Sequence, residues 1–360
     1  MGLEHAAAVD RPLVAWTLGD VAGIGPEIAL KAWQDPEVHA AARVLVVGSE
    51  RVLRTQAGAL GLAVEIRRFD PDDLEAAARN SRPDALACVD PSPVDVGSPP
   101  LGQVHPDAGR AAYDYLIAAV DWALAGRIHA VVTLPIHKET LRAAGLPYPG
   151  HTEILAERTG AERYGMMLYR RGLGVLHVTL HTSLRNALDA ITVDAVHEKI
   201  ALLDRMMRRL GVDRPRLAVA AVNPHASDGG LFGDEERAVV EPAVELAVRE
   251  GFDAAGPIPA DTLFVRAARG EFDGVVAMYH DQGHIALKLL GWREAVNITV
   301  GLPIVRTSVA HGTGYDIVGK GVADPTSLKE AQRTALLLAR RGPDGAPSPR
   351  PASAGGGGLS

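Results

Sequence analysis

The chain has 360 residues, 47% of them hydrophobic, 22% charged and 4% aromatic, an ordinary globular composition with room for two domains or one large α/β unit. A formal net charge of −7 leaves no basic footprint for nucleic acid, and no run of about 18 apolar residues exists to span a membrane. The single cysteine, Cys88, excludes an intramolecular disulfide, reads as core, and fits a reducing cytoplasm. The first residues lack the apolar stretch of a secretory signal. Both ends, 1–11 and the Pro/Gly/Ser-rich 342–360, are expected to be disordered.

Residues 13–18 form an apolar strand that runs into GDVAGIGPE, residues 19–27. Pro26 and Glu27 mark a helix start after this Gly-rich turn. Such a turn either holds backbone amides near an anion or is a tight strand-to-helix connection, and its spacing is not the GxGxxG dinucleotide fingerprint. Further apolar runs at 44–47, 64–67, 85–89 and 130–134 alternate with a helical 49–60 and a helix from Asp107 to Gly126, read from the spacing of Ala112, Leu116, Ala119, Val120 and Ala123. This alternation predicts an α/β fold with a mostly parallel sheet and helices on both faces. GHTE at 150–153 opens the next helix, where His151 and Thr152 form either an anion site or a plain cap.

Three apolar strands then end in histidine: 173–180 in His181, 217–222 in His225 and 274–278 in His280. Parallel sheets present ligand-binding groups at strand carboxyl ends, and three neutral imidazoles converging there would make an open divalent-metal site. His177, inside the first of these strands, reads as a core histidine. Asp261, in a loop expected at 256–262, and Asp281 could fix histidine tautomers, add ligands or act as acid/base groups. Lys288, Asn297 and Arg306 each border an apolar run. Arg as a planar fork and Lys as a point charge suit phosphate or carboxylate. Residues 298–309 read as one buried strand, closed by the loop His311-Gly312-Thr313-Gly314.

Taken together, several motifs closely resemble the 4-hydroxythreonine-4-phosphate dehydrogenase family. They are GDVAGIGPE, YPGHTE (148–153), HVTLHTSLR (177–185), NPHASDGGLFGDEE (223–236), GPIPADTLF (256–264), YHDQGH (279–284) and VNITVGLPIVRTSVAHGT (296–313). The similarity runs from about residue 13 to 339. HGTGYDIVGKGVADP at 311–325 also resembles a segment of the isocitrate and isopropylmalate dehydrogenases, which share that family's fold and there hold the adenosine end of NAD with it.

The resemblance implies two α/β domains with the active site in the cleft between them. One, 12–128 plus 276–341, would contain both ends of the chain and the dinucleotide loop; the other, 129–275, would carry dimerisation and metal ligands. It implies one divalent metal (Zn, Mg, Co or Mn) on His181, His225 and His280, drawn from both subunits of a homodimer. Substrate would bind at His151, Thr152, Lys288, Asn297 and Arg306, and NAD or NADP at His311, Gly312, Thr313 and Asp316. The base is open among Asp261, Asp281 and Lys288. The implied reaction is NAD-dependent oxidation and decarboxylation of 4-phosphooxy-L-threonine to 3-amino-2-oxopropyl phosphate, in cytoplasmic pyridoxal phosphate synthesis. A sister branch converts D-threonate or D-erythronate 4-phosphate to dihydroxyacetone phosphate, and GHIALKLLGW with His284 looks closer to it. An aromatic cis-dihydrodiol branch fits less well with the intact GHTE and Arg306. A non-catalytic sensor of phosphorylated acids and a metal-dependent phosphatase are readings from other classes.

Overall fold

The structure, a computed structural model, describes residues 11–341, so the ends expected to be disordered lie outside the described residues apart from Arg11. Twelve strands form one sheet: β1 Leu13–Thr17, β2 Arg43–Val47, β3 Glu65–Phe69, β4 Ala85–Val89, β5 Ala130–Thr133, β6 Gly165–Arg170, β7 Leu173–His177, β8 Leu217–Ala220, β9 Ala254–Ile258, β10 Gly274–Ala277, β11 Val296–Val300 and β12 Arg306–Val309. They lie in the order β3-β4-β2-β1-β5-β12-β11-β6-β7-β10-β8-β9. The pairings β12–β11, β11–β6 and β6–β7 are antiparallel; the others are parallel. The mostly parallel α/β architecture expected from the sequence is the one observed.

Burial explains which runs are uniformly apolar. Every residue of β1, β2, β4, β5, β8 and β10 is buried, because helices such as Pro106–Leu124, Val193–Arg209 and Thr326–Ala339 pack over the sheet. Strands covered in this way lose the in-out alternation of a half-exposed sheet. The two edge strands differ. Only Ile66 of β3 is buried, and β9 carries Pro257, which a central ladder would not accept. Helices start on side-chain caps where the sequence supplies them: Ser49 accepts from Val52 N at 3.4 Å and Thr192 from Ala195 N at 3.2 Å. No helix among the described residues is long and apolar enough to cross a membrane.

Several expectations are corrected. Residues 298–309 are not one strand: Gly301 takes φ 86° and the chain reverses, so β11 and β12 pair antiparallel. Apolar content looks continuous across such a turn; only the glycine's access to positive φ marks it. β6 has no counterpart in the sequence reading. The loop expected at 256–262 instead ends β9 and opens the helix Ala260–Ala268. β5 pairs with β1 and β12, and β10 with β7 and β8.

Candidate active site

Where parallel pairing gives way to antiparallel, at the centre of the sheet, a cavity of about 280 Å³ opens. Its deepest charge is Arg306, at the start of β12 and 2% exposed. The guanidinium donates to Thr299 Oγ1 at 2.9 Å and Thr133 Oγ1 at 2.6 Å, and no carboxylate lies within ion-pairing distance among the described residues. Burial lowers its pKa, to about 9, so it is cationic at neutral pH. A buried cation held only by hydroxyls is costly unless an anion completes it.

The groups around it are also incomplete. His151 Nε2, Asn297 Oδ1 and Arg306 Nε are buried without a partner among the described residues, an arrangement that a polar ligand would relieve. His151 opens the helix His151–Thr159, whose N-cap is Gly150; Thr152 is therefore the second helical residue, not the cap. Burial, then the Arg306 charge, holds the His151 pKa well below its ordinary value, so a neutral imidazole faces the cavity. Asn297 comes from β11.

The opposite wall is built of histidines. His280, first residue of the helix His280–Gly291, places Nδ1 2.7 Å from Asp281 Oδ1. With Nδ1–H donating to Asp281, the Nε2 of a neutral ring would face outward as the acceptor, the arrangement of an oriented metal ligand. His181 faces it with ring centroids 6.1 Å apart. His284 stacks on His280 at 3.7 Å. Its tautomer follows from its neighbours: His177 Nδ1–H donates to Met166 O at 3.3 Å, so His177 Nε2 accepts from His284 Nδ1–H at 3.1 Å, leaving His284 Nε2 unprotonated. Burial lowers the pKa of His177 to about 4 and of His284 to about 3.

The remaining candidates are placed unevenly. Lys288 is exposed, one turn beyond His284, and does not line the cavity, although its charge acts on both His284 and His311. His311 and Gly312 line the cavity. Thr313 is 7% exposed, and its carbonyl accepts from Ile24 N at 2.9 Å; Asp316 is exposed on the same loop. Asp261 and Asp281 line a separate, largely apolar groove between the helices Ala260–Ala268 and His280–Gly291. His225 lies outside the cavity, in a segment with left-handed backbone from His225 to Gly229.

Two fits can be judged on these contacts. His181 and His280 are nitrogen donors on neighbouring rings, but among the described residues no group of three or more His, Cys, Asp or Glu could hold a metal ion; His225 does not line the cavity with them. At Gly312 nothing lies within 4 Å of where a Cβ would sit, so its backbone is open to a ligand, as a dinucleotide loop requires.

Two ionisable residues of the cavity lining, His284 and Glu153, were not among those singled out as site residues. His284 repeats His280 at a spacing of four, which on a helix means the same face. Glu153, whose Oε2 is buried and unpartnered at the cavity wall, was visible only as the last letter of GHTE.

A family model described as "Pyridoxal phosphate biosynthetic protein PdxA" matches residues 40–335. The chain belongs to the PdxA family. Among PdxA-like relatives, the 4-hydroxythreonine-4-phosphate dehydrogenase of Desulfosudis oleivorans is 46% identical over 323 residues, covering 89% of this chain and 94% of the relative. The D-threonate 4-phosphate dehydrogenase of Pectobacterium atrosepticum is 44% identical over 328 residues, covering 91% and 99%. A crystal structure of 4-hydroxythreonine-4-phosphate dehydrogenase from Klebsiella pneumoniae superposes with TM-score 0.78 at 41% identity, over 91% of this chain and 100% of that one. The family expected from the sequence motifs is the family found.

Proposed function

We propose that this chain catalyses the NAD- and divalent-metal-dependent oxidation and decarboxylation of a 4-phosphorylated four-carbon 3-hydroxy acid, 4-phosphooxy-L-threonine in the first reading. The observation that carries it is Arg306: a buried cation with no carboxylate partner among the described residues, at the floor of a cavity whose other wall carries His181 and His280. Arg306 would hold the phosphate as a fork braced by Thr133 and Thr299, with His151, Thr152 and Asn297 completing its hydrogen bonds. That grip supplies remote binding energy which orients the reacting carbon toward the histidine wall. A metal bound at His181, His280 and His225 would supply Lewis acidity to the substrate hydroxyl, and a nicotinamide would take the hydride. Asp281 orients His280, and Asp261 faces the other groove, which leaves Lys288, one turn beyond His284, as the favoured base.

The outlying His225 supports a homodimer in which a second copy completes the ligand set. The groove lined by Asp261 and Asp281 exposes Ile285 by 59% and Leu289 by 83%, an apolar face that a second subunit would cover. We also infer a two-domain division, with β1–β5 and β12 on one side, β6–β10 on the other and β11 between them. Cys88, buried with its thiol donating to Gly48 O at 3.0 Å, fits a reducing cytoplasm.

A second reading, oxidation of D-threonate or D-erythronate 4-phosphate to dihydroxyacetone phosphate, is favoured by one observation: His284, the residue that likens the chain to that branch, lines the cavity. NADH formation with each of the three phosphorylated acids, with and without added metal, tests both readings. Preference for the amino acid supports the first and preference for a sugar acid the second. Binding without turnover on any of them would sink both in favour of a sensor; release of phosphate without NADH would favour a phosphatase.

A further inference from the structure

The loop proposed to receive the dinucleotide is tied down at one phenol. Tyr315 donates its hydroxyl proton to Asp20 Oδ2 at 2.5 Å. With that proton committed, the Thr140 hydroxyl donates to the phenol oxygen at 3.1 Å. Asp20 and Thr140 are each 1% exposed. Asp20 stands just past β1 and accepts from Ala22 N through its other oxygen at 3.0 Å; Thr140 lies in the helix Lys138–Ala143. His137 lies flat against the phenol ring, centroids 4.7 Å apart and planes within 10°.

Backbone contacts tie the same segments together. Ile24 N donates to Thr313 O at 2.9 Å and Gly102 N to Ala22 O at 2.8 Å, and a Cβ on Gly102 would meet Tyr315 O at 2.8 Å. Packing alone asks only for a ring here, since phenylalanine would stack on His137 equally well. What the hydroxyl adds is a charge-assisted bond to a buried carboxylate, which fixes the 311–319 loop, and with it His311 and Gly312 of the cavity wall, relative to the 19–25 turn.

We propose that Tyr315 is a positioning residue for the dinucleotide: its hydroxyl, held between Asp20 and Thr140, locks the 311–319 loop against the 19–25 turn in its binding conformation. The inference rests on the dinucleotide reading above. Without the hydroxyl the Asp20 oxygen loses its partner, and the loop gains freedom that binding must then remove.

Calorimetric titration of NAD, of NADP and separately of the phosphorylated acids tests this, using the wild type, Tyr315→Phe and the milder Thr140→Val, with thermal melts alongside. Tyr315→Phe is expected to weaken dinucleotide binding about tenfold while binding the phosphorylated acid as the wild type does, and Thr140→Val to shift in the same direction by less. Tyr315→Phe holding dinucleotide within about twofold of wild type overturns the proposal. So does a loss of affinity for both ligands that tracks a fall in Tm, which would mark a merely structural role. If the wild type binds neither NAD nor NADP, the dinucleotide reading fails first and the inference with it, and the wild-type titration alone reports that.

Discussion

The wall around Arg306 and the segment around His225 both depend on buried strands, and both are polar, yet they are held in opposite ways. Arg306 sits on β12, in register with Val131 of β5, so the ladder sets its Cα and two hydroxyls set its fork. His225 sits beyond β8 in a run whose φ values are 55°, 54°, 66°, 44° and 71° from His225 to Gly229. Left-handed backbone costs about 1–2 kcal/mol for each non-glycine residue, so this segment persists only where other bonds hold it. A side chain on a central strand is positioned by the sheet, whereas one on a loop has to be positioned by side-chain contacts. The cradle of Arg306, Thr133 and Thr299 is therefore built within one chain, whereas the His225 segment, the arm, lies outside that cavity.

Breaking the cradle should have the largest effect. Arg306→Ala removes the only cation among the described residues that is buried at the cavity floor and leaves Thr133 and Thr299 facing a void. Steady-state kinetics should show kcat/KM down about 10³-fold, equivalent to about 4 kcal/mol. Arg306→Lys, which restores charge but not the fork, should fall between. A change under about tenfold in Arg306→Ala would show that the phosphate binds elsewhere.

Acid should undermine the opposite, histidine wall through His177, which accepts from His284. This ring is 1% exposed, and burial lowers its pKa from 6.5 to about 4. The unfolded chain takes up its proton first as pH falls, so the stability contributed by the neutral ring is complete above about pH 6.5 and lost toward pH 4, at most about 3 kcal/mol. Thermal melts across that window should fall steeply for the wild type. They should fall less for His177→Asn, whose loss is expected to be constant with pH. His225→Ala should keep the wild-type slope, and equal slopes in all three proteins would show that His177 does not titrate on unfolding.

A mixing experiment sharpens the contrast without relying on magnitudes. If the arm serves the partner's cavity, His225→Ala and Arg306→Ala subunits should each be inactive alone. Half of the dimers in an equal mixture are mixed, and each of these has one site with an intact cradle and an intact arm, so about a quarter of wild-type activity should return. Activity no higher than that of the separate variants would place His225 and Arg306 at the same site of one chain, or His225 at none.

How much of this could be read from sequence depended on what fixes each residue. Strand-borne and helix-start groups, namely His151, Asn297, Arg306 and His280, come together because periodicity and burial place their elements, and those signals are local. His284 follows from helical spacing, although only the structure shows that His177 sets its tautomer. Gly301 split an apolar run because one positive φ reverses a chain whose composition does not change. The distance of His225 from the cavity was beyond sequence altogether, since a left-handed run over His-Ala-Ser-Asp has no propensity behind it and exists only through its contacts.

The smallest predicted effect tests what holds that run in place. Glu236 is 2% exposed. Its Oε1 accepts from Val222 N at 2.8 Å and Asn223 N at 2.7 Å, and its Oε2 from Asn223 Nδ2 at 3.0 Å and the Ser227 hydroxyl. One buried carboxylate thus gathers donors from both sides of His225. The helix that carries it opens with a π turn, Glu236–Val240, ahead of Pro242, whose missing N–H breaks the regular ladder. Glu236→Gln keeps the shape but turns an NH2 toward Asn223 Nδ2 or the Ser227 hydroxyl, so one donor must lose its partner. Such outer contacts typically change metal affinity about tenfold or more. Chelator competition should therefore show metal binding weakened about tenfold in Glu236→Gln, less in Ser227→Ala, and phosphate binding at Arg306 unchanged in both. If metal affinity falls in His225→Ala but not in Glu236→Gln, the arm is aimed by something other than this carboxylate, and the left-handed run is held by its own turns.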